Sequence, residues 1–452
     1  MAYIPTTPDD RRAMLARIGV PDVEALLADL PADARVRGLL DIPPPLSEME
    51  LRAEMETLAA RNRPVTELHS FLGGGAYRHF VPAALRAIVG KPEFFTAYTP
   101  YQAEVSQGLL QSIYEFQSLL ARLTGMDVAN ASLYDGATAL AEAIFMANAV
   151  NGRTEVVLAR SLHPHWREVA RTQLARSGIG VREVGIAPDG TVDRAALGKA
   201  LSEKTAAVAF ASPNFLGAIE PAREIVDAAH AAGALAIHGF HPISLALLAT
   251  PGECGADVAV AEGQPLGLTL SYGGPYVGLF CARREFVRRM PGRLIGRTVD
   301  AKGRRAFVMT LQTREQHIRR AQATSNVCTN QALCALAATV YLALLGPRGL
   351  RAVAETAFAR AHALLARLEA TGVARRRFAA PFWNEFVVSF EPALWKRGLH
   401  AHLESRGILG GVPLGPVDPE LEGSLLVAAT EETREESVHA YADAVAAFAG
   451  RA

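Results

Sequence analysis

The sequence predicts an α/β protein: a large, mostly parallel sheet covered by helices, followed by a smaller mixed α/β domain. Three observations carry this. Half of the 452 residues are apolar, enough to bury a sizeable core. Through the middle of the chain, short apolar runs alternate with helical stretches. The strands read as Val156–Ala159, Gly180–Val184, Ala206–Ala211, Ala234–Ile237, Val258–Ala261 and Val277–Cys281. The helices between them read as Gly136–Ala147, His165–Arg176, Arg194–Leu201 and Ala222–Ala232. Such alternation produces right-handed crossovers and a parallel sheet. The pattern then changes. A long helix fits Thr329–Leu345 and stops at Gly346-Pro347. Beyond it lie a helix near Arg351–Leu368, strands Glu385–Phe390 and Ser424–Ala428, and a helix Thr430–Phe448.

These elements predict a helical arm over residues 1–62, a large domain over 63–315, and a long helix with a small C-terminal domain over 316–452. In the arm, Thr7-Pro8-Asp9-Asp10 combines a hydroxyl cap, a first-turn proline and acids at the positive end of a helix dipole. Ser47 with Glu50 forms a capping box ahead of Leu51, Met55 and Leu58. Prolines 21, 31 and 43–45 separate these short helices, which predicts an arm packed on something else. A further helix fits Glu104–Leu123, where Val105, Leu109, Ile113, Phe116 and Leu120 recur at three and four.

Basic and acidic side chains balance at 46 each, which argues against a nucleic-acid or membrane-surface partner. The chain has no apolar run of about 20 residues and no basic-then-apolar leader pattern, so a cytoplasmic protein is expected. Cys254, Cys281, Cys328 and Cys334 form no C-x-x-C pair and have no zinc-type histidine spacing. They read as small buried apolar side chains, and no metal is expected.

A large parallel domain followed by a small mixed one is the layout of the aminotransferase-type (fold type I) pyridoxal-phosphate-dependent transferase fold, although a plain doubly wound nucleotide binder shares the pattern. Cofactor chemistry on this fold needs a Schiff-base lysine, an acid for the pyridinium nitrogen, and amides at a helix start for the phosphate. The chain has five lysines: Lys91, Lys199, Lys204, Lys302 and Lys396. None lies between residues 204 and 302, where the late strand Asp257–Ala261 runs into Glu262-Gly263-Gln264. The strand Ala234–Ile237 leads to His238-Gly239-Phe240-His241 rather than to an aspartate. The junction Leu133-Tyr134-Asp135-Gly136-Ala137-Thr138 looks like a phosphate cradle, but Asp135 would place a carboxylate at the positive helix end. It reads better as a cap filling a vestigial phosphate loop of Asp135, Gly136, Ala137 and Thr138.

Several motifs together resemble one family. They are Tyr98-Thr99-Pro100-Tyr101-Gln102-Ala103-Glu104-Val105-Ser106-Gln107-Gly108, Tyr134–Thr138, and Glu262–Gly267 followed by Ser271-Tyr272-Gly273-Gly274-Pro275-Tyr276. Thr324–Gln331 and Trp383-Asn384-Glu385-Phe386 complete the set. Over nearly its whole length the chain is similar to the alpha chains (subunit 1) of the split glycine dehydrogenase (decarboxylating), the P-protein of the glycine cleavage system. The resemblance implies an alpha2-beta2 assembly. In it a homologous beta subunit holds pyridoxal 5'-phosphate covalently, and this chain, without the lysine, lines a shared active site. It implies release of carbon dioxide from glycine and transfer of the aminomethyl group to the lipoyl arm of H-protein. One departure is His241, where such alpha chains often keep an aspartate.

On this resemblance the candidate site residues are Tyr98, Tyr101, Gln102, Glu104, Ser106, Gln107 and Asn384, with no cofactor bound by this chain alone. A polar, aromatic-rich loop ahead of a helix can donate hydroxyl and amide hydrogens to a carboxylate. The same residues also suit a helix start, and Asn384 a turn before a strand. Weaker candidates are His163-Pro164-His165-Trp166-Arg167 after a strand, a flexible turn Gly73-Gly74-Gly75 near Tyr77 and His79, and a basic helix side of Arg314, His317, Arg319 and Arg320. Two other functional classes stay open: an independent cofactor enzyme using Lys204, which would sit on the wrong side of the sheet for strand-end chemistry, and a non-catalytic scaffold or regulatory paralogue.

Overall fold

A computed structural model describes residues 5–36, 38, 40–312, 315–323, 325, 327 and 329–450. Residues up to 63 form one compact unit and residues from 64 onward another. In the first, helix Glu48–Ala59 begins with the capping box expected of Ser47 and Glu50, and helix Pro8–Ile18 begins with the hydroxyl cap expected of Thr7, which with Asp10 also completes a capping box. Their apolar side chains, including Met14, Ile18, Met49 and Met55, are exposed.

The second unit is organised on a seven-stranded sheet. Its order is Val128–Ala129, Gly278–Ala282, Val258–Glu262, Leu235–Phe240, Thr205–Ser212, Glu155–Ala159 and Gly180–Val184. The five strands from Val258–Glu262 to Gly180–Val184 run parallel; Gly278–Ala282 and Val128–Ala129 pair antiparallel at the other edge. The strand Thr205–Ser212 is buried along its whole length, as a central parallel strand covered on both faces must be. The alanine-rich helix Gly136–Asn151 is buried around most of its circumference. Its small side chains let it lie close to the sheet.

The long helical stretch Ala332–Ala370 is broken at Gly346 (φ 58°, ψ −174°), with Pro347 next, so it is two helices meeting at the predicted stop. Among the described residues it is the one stretch long and apolar enough to cross a membrane. Here Ala335, Leu336, Ala338, Tyr341 and Leu342 are buried in the core. A four-stranded sheet, in the order Ala374–Arg376, Glu385–Phe390, Ser424–Ala428, Val412–Pro413, carries a second core with Phe386, Val388, Leu425, Val427 and Tyr441. His69–Ser70 pairs with Ile408–Leu409, so the chain just after residue 63 is tied to the C-terminal part.

Three expectations are corrected, and one element is new. The helix expected over Glu104–Leu123 spans Gln107–Thr124, because Ala103–Val105 is a separate tight turn. The last helix begins at Glu435 rather than Thr430. Thr430 instead closes a turn with Thr433 and donates its hydroxyl to the Arg78 carbonyl at 2.6 Å. An antiparallel hairpin, Leu294–Val299 with Arg305–Thr310, was not read from the sequence. The Gly73–Gly75 turn is not a loose one: the Gly74 amide donates to the buried Glu385 carboxylate at 2.6 Å, and the Gly74 carbonyl meets His163 Nε2 at 2.6 Å. Arg314, Cys328, Thr324 and Asn326 lie outside the described residues; His317, Arg319 and Arg320 are exposed, and Cys254 and Cys281 are buried.

Candidate active site

Two regions of the second unit bear on chemistry. The first is a pocket at the carboxyl ends of the parallel strands, where ligands of open α/β sheets bind. His163 and Trp166 follow the strand ending at Ala159, Ala211 and Pro213 come from the end of the next, and Phe240 and His241 from the third. Glu262 closes the fourth, and Tyr77 and Glu385 complete the wall.

This pocket does not fit pyridoxal phosphate as a cofactor of this chain. All five lysines are exposed, and none lines it. The helix start that would receive a phosphate already holds two carboxylates of its own: Asp135 accepts from the Thr138 amide at 2.7 Å, and Glu262 from the Gly136 amide at 3.1 Å. Asp135 is therefore the helix cap. The Trp166 ring lies so close over Gly136 that a methyl group there would overlap it. His238 occupies the inside of its strand, stacked on Phe210 at 4.6 Å between ring centres, and burial pushes it down to about 3. His241 faces the pocket, edge-on to Tyr77 and Trp383, and burial holds it well below the usual imidazole range. Neither replaces an acid paired to a pyridinium.

The electrostatics follow from burial. Glu262 is pushed up to about 7 by burial, against the amides of Gly136, Val277 and Gln264 that favour its charged form. Glu385 is likewise pushed up to about 7, while accepting from Gly74 and from the Tyr77 hydroxyl at 2.8 Å. His163 is pushed down to about 4 by burial and caps its helix by accepting from the His165 amide. It serves both roles open to it in the sequence, helix start and pocket wall.

The second region is the Tyr98–Gln107 segment. Tyr98 is 80% exposed and Tyr101 51%. Gln102 and Glu104 are exposed. Gln107 is half-buried and bridges to the hairpin: its amide donates to the Phe307 carbonyl at 2.9 Å and accepts from the Phe307 amide at 2.9 Å. Ser106 precedes the helix. Asn384 stands apart, buried, donating to the Ala429 carbonyl at 3.2 Å beside Glu385. The segment's partner went unread in the sequence. It is Arg293, which donates to the Tyr101 hydroxyl at 3.1 Å and the Thr99 hydroxyl at 3.3 Å. An arginine after Pro291-Gly292 carries no periodic signal.

The family model described as the glycine cleavage system P-protein matches residues 1–444. The chain is 48% identical over 449 residues to a probable glycine dehydrogenase (decarboxylating) subunit 1 of Chlorobium luteolum, covering 99% of this chain and all of the relative. It is 47% identical to the protein of the same description from Desulforamulus reducens, covering 96% of each. A crystal structure of glycine decarboxylase (P-protein) of the glycine cleavage system, in inhibitor-bound form, superposes with a TM-score of 0.87 at 41% identity, over 99% of this chain and 100% of that one. A sphingosine-1-phosphate lyase of Burkholderia pseudomallei, 16% identical, superposes at 0.69 over 94% and 95% and shares the fold. The fold is thus the aminotransferase-type one, and the chain belongs to the glycine cleavage system P-protein family.

Proposed function

We propose that this chain is the lysine-lacking alpha subunit of a two-chain glycine decarboxylase. With a homologous beta subunit it takes glycine, releases carbon dioxide and passes the aminomethyl group to the lipoyl arm of H-protein. The observation that carries the reading is the pocket at the strand ends, where Glu262 and Asp135 hold the amides a phosphate would need and no lysine is present. Pyridoxal phosphate supplies the electron sink for decarboxylation. On this reading it is held covalently by the partner's lysine. This chain contributes a wall: Tyr98, Gln102 and Glu104 face outward beside Tyr101 from a segment anchored by Gln107, and their hydroxyl, amide and carboxyl groups orient substrate at the shared boundary. Ser106 sets the start of the supporting helix, and Asn384 holds the turn that delivers Glu385.

The exposed apolar side chains of the N-terminal helices support an arm that buries itself against another chain, within an alpha2-beta2 assembly. The cytoplasm is the expected compartment. Co-expression with a lysine-bearing homologue tests the proposal through exchange of glycine carboxyl carbon with carbon dioxide in the presence of lipoyl H-protein. Each chain alone should be inactive, the pair active, and sedimentation should give two copies of each. If borohydride fixes pyridoxal to this chain in isolation, or the pair is no more active than the homologue alone, the proposal fails. The second result would favour a scaffold.

A further inference from the structure

Asp135 and Glu262 take the helix start, and beside it, at the carboxyl ends of the strands, a cavity of about 70 Å³ remains, with room for several water-sized groups. Two carboxyl side chains line it. Glu385 is only 4% exposed, and burial dominates the surroundings of Glu262 as well. Every hydrogen bond that they accept comes from a neutral donor. Glu385 takes the Gly74 amide at 2.6 Å and the Tyr77 hydroxyl at 2.8 Å. Glu262 takes the amides of Gly136 and Gln264, each at 3.1 Å, and of Val277 at 3.3 Å. Among the described residues no basic side chain stands against either one, and Asp135 adds a third acid near Glu262. No lysine or arginine lines the cavity. Its histidines bring no charge near neutral pH, since burial holds His163 down to about 4 and His241 well below the usual imidazole range. Buried acids that have hydrogen bonds but no counter-charge attract a cation.

The walls favour an organic one. The rings of Tyr77, Trp166, Phe215 and Phe240 line the same cavity, and aromatic rings draw ammonium groups. His241, on that wall too, accepts the Ile243 amide at Nδ1 at 3.3 Å, which leaves the proton of the neutral ring on Nε2. This Nε2 is buried and has no hydrogen-bond partner, so it is a donor without an oxygen to meet.

We propose that the cavity binds a short amino alcohol of the size of ethanolamine. Its ammonium group is held by Glu262 and Glu385, its carbons lie along the rings, and its hydroxyl oxygen accepts from His241. The molecule is neither substrate nor cofactor of the decarboxylation, and the site does not rest on that reading. Glycine is excluded from it, because its carboxylate would meet acids and no cation.

Calorimetric titration of the full-length chain with ethanolamine hydrochloride, at pH 8 and fixed ionic strength, tests the site. A saturable one-to-one isotherm is expected. Ethylammonium, which lacks the hydroxyl, should bind about tenfold more weakly, and glycine and acetate should give no saturable heat. At pH 7 binding should release protons, because the ammonium displaces those that burial keeps on the carboxyls; the measured heat then varies with the ionisation enthalpy of the buffer. Glu262→Gln should weaken ethanolamine binding by about tenfold or more and reduce the proton release, with the circular dichroism of the wild type. Should Glu262→Gln not fold, the half-buried Phe215 offers a second variant, Phe215→Leu, expected to weaken binding about threefold or more. Absence of a saturable heat with ethanolamine would overturn the proposal, as would equal affinity for ethylammonium or acetate, or an affinity that the folded variants leave unchanged. No arm of the test measures decarboxylation, so failure of the alpha-subunit assignment and failure of this site are separable.

Discussion

The pocket at the strand ends and the surface around Tyr98 lie in the same unit but are built in opposite ways. The first is closed by its own side chains: Glu262 and Asp135 satisfy the helix start, Glu385 satisfies Gly74 and Tyr77, and Trp166 lies over Gly136. The second leaves Tyr98, Gln102 and Glu104 facing outward, with Gln107 and Arg293 holding them from behind. On the proposed reading, a chain that keeps the scaffold of a cofactor enzyme has filled its interior site with its own side chains and offers its contribution to chemistry at a rim. Substitutions in the first region should therefore unfold the chain, and substitutions in the second should spare stability while harming the assembled enzyme.

The largest effect expected is at Glu385. Its replacement by alanine leaves the Tyr77 hydroxyl and the Gly74 amide without their acceptor in a buried place and opens a void. The expected loss is about 3–5 kcal/mol in urea denaturation of the isolated chain. A loss under about 1 kcal/mol would mean that the pocket is not core.

Next comes Gly136→Ala, whose methyl group would overlap the Trp166 ring and crowd the Glu262 backbone. Overpacking there should cost about 1–3 kcal/mol. Pairing it with Trp166→Leu should recover part of the loss, and the absence of any recovery would break the packing account.

A smaller effect concerns pH. Glu262 and Glu385 are each pushed up to about 7 by burial, so the folded chain holds protons that the unfolded chain has released. Their contribution is complete below about pH 4.5, where the unfolded chain is protonated too, and is lost as pH rises through 7. Stability should fall between pH 5 and 8. In Glu262→Gln, whose amide imitates the protonated acid, that fall should shrink by about 1–2 kcal/mol. Identical pH profiles for the variant and wild type would remove Glu262 from this role.

The smallest stability effect belongs to Tyr98→Ala, expected to shift unfolding by less than about 0.5 kcal/mol because the ring is 80% exposed. The same variant should lower glycine turnover by the two-chain enzyme by about tenfold or more. An active enzyme with an unstable chain would reverse the contrast between the two regions.

The central strands were legible because burial on both faces writes continuous apolar runs into the sequence, as in Thr205–Ser212; Glu385–Phe390 and Ser424–Ala428 of the small sheet match in full, as does the largely exposed edge strand Gly180–Val184. The hairpin Leu294–Val299 with Arg305–Thr310 was not, because its first strand keeps only Leu294 and Ile295 as adjacent apolar residues before Gly296, Arg297 and Thr298, leaving the short run Ala306–Met309 without a legible partner. Asp135 could be recognised as a cap because a cap is local, acting on an amide three residues away. Glu262 could be seen only as a residue standing where a lysine was wanted. That its carboxylate meets Gly136, 126 positions earlier, depends on how the sheet brings the two strand ends together. Arg293 is hidden for the same reason, its partners Thr99 and Tyr101 lying 194 and 192 residues away.

The Glu262 carboxylate has one more consequence. A carboxyl group joined to the helix start by the peptide chain has no dissociation constant: dilution does not remove it, and shortage of a free ligand does not empty its place. A chain so arranged completes this part of its interior as soon as it leaves the ribosome, whatever the supply of cofactor. By the same token, placing a lysine in this pocket would not by itself free the helix start for a phosphate, since the tethered acid would still have to leave.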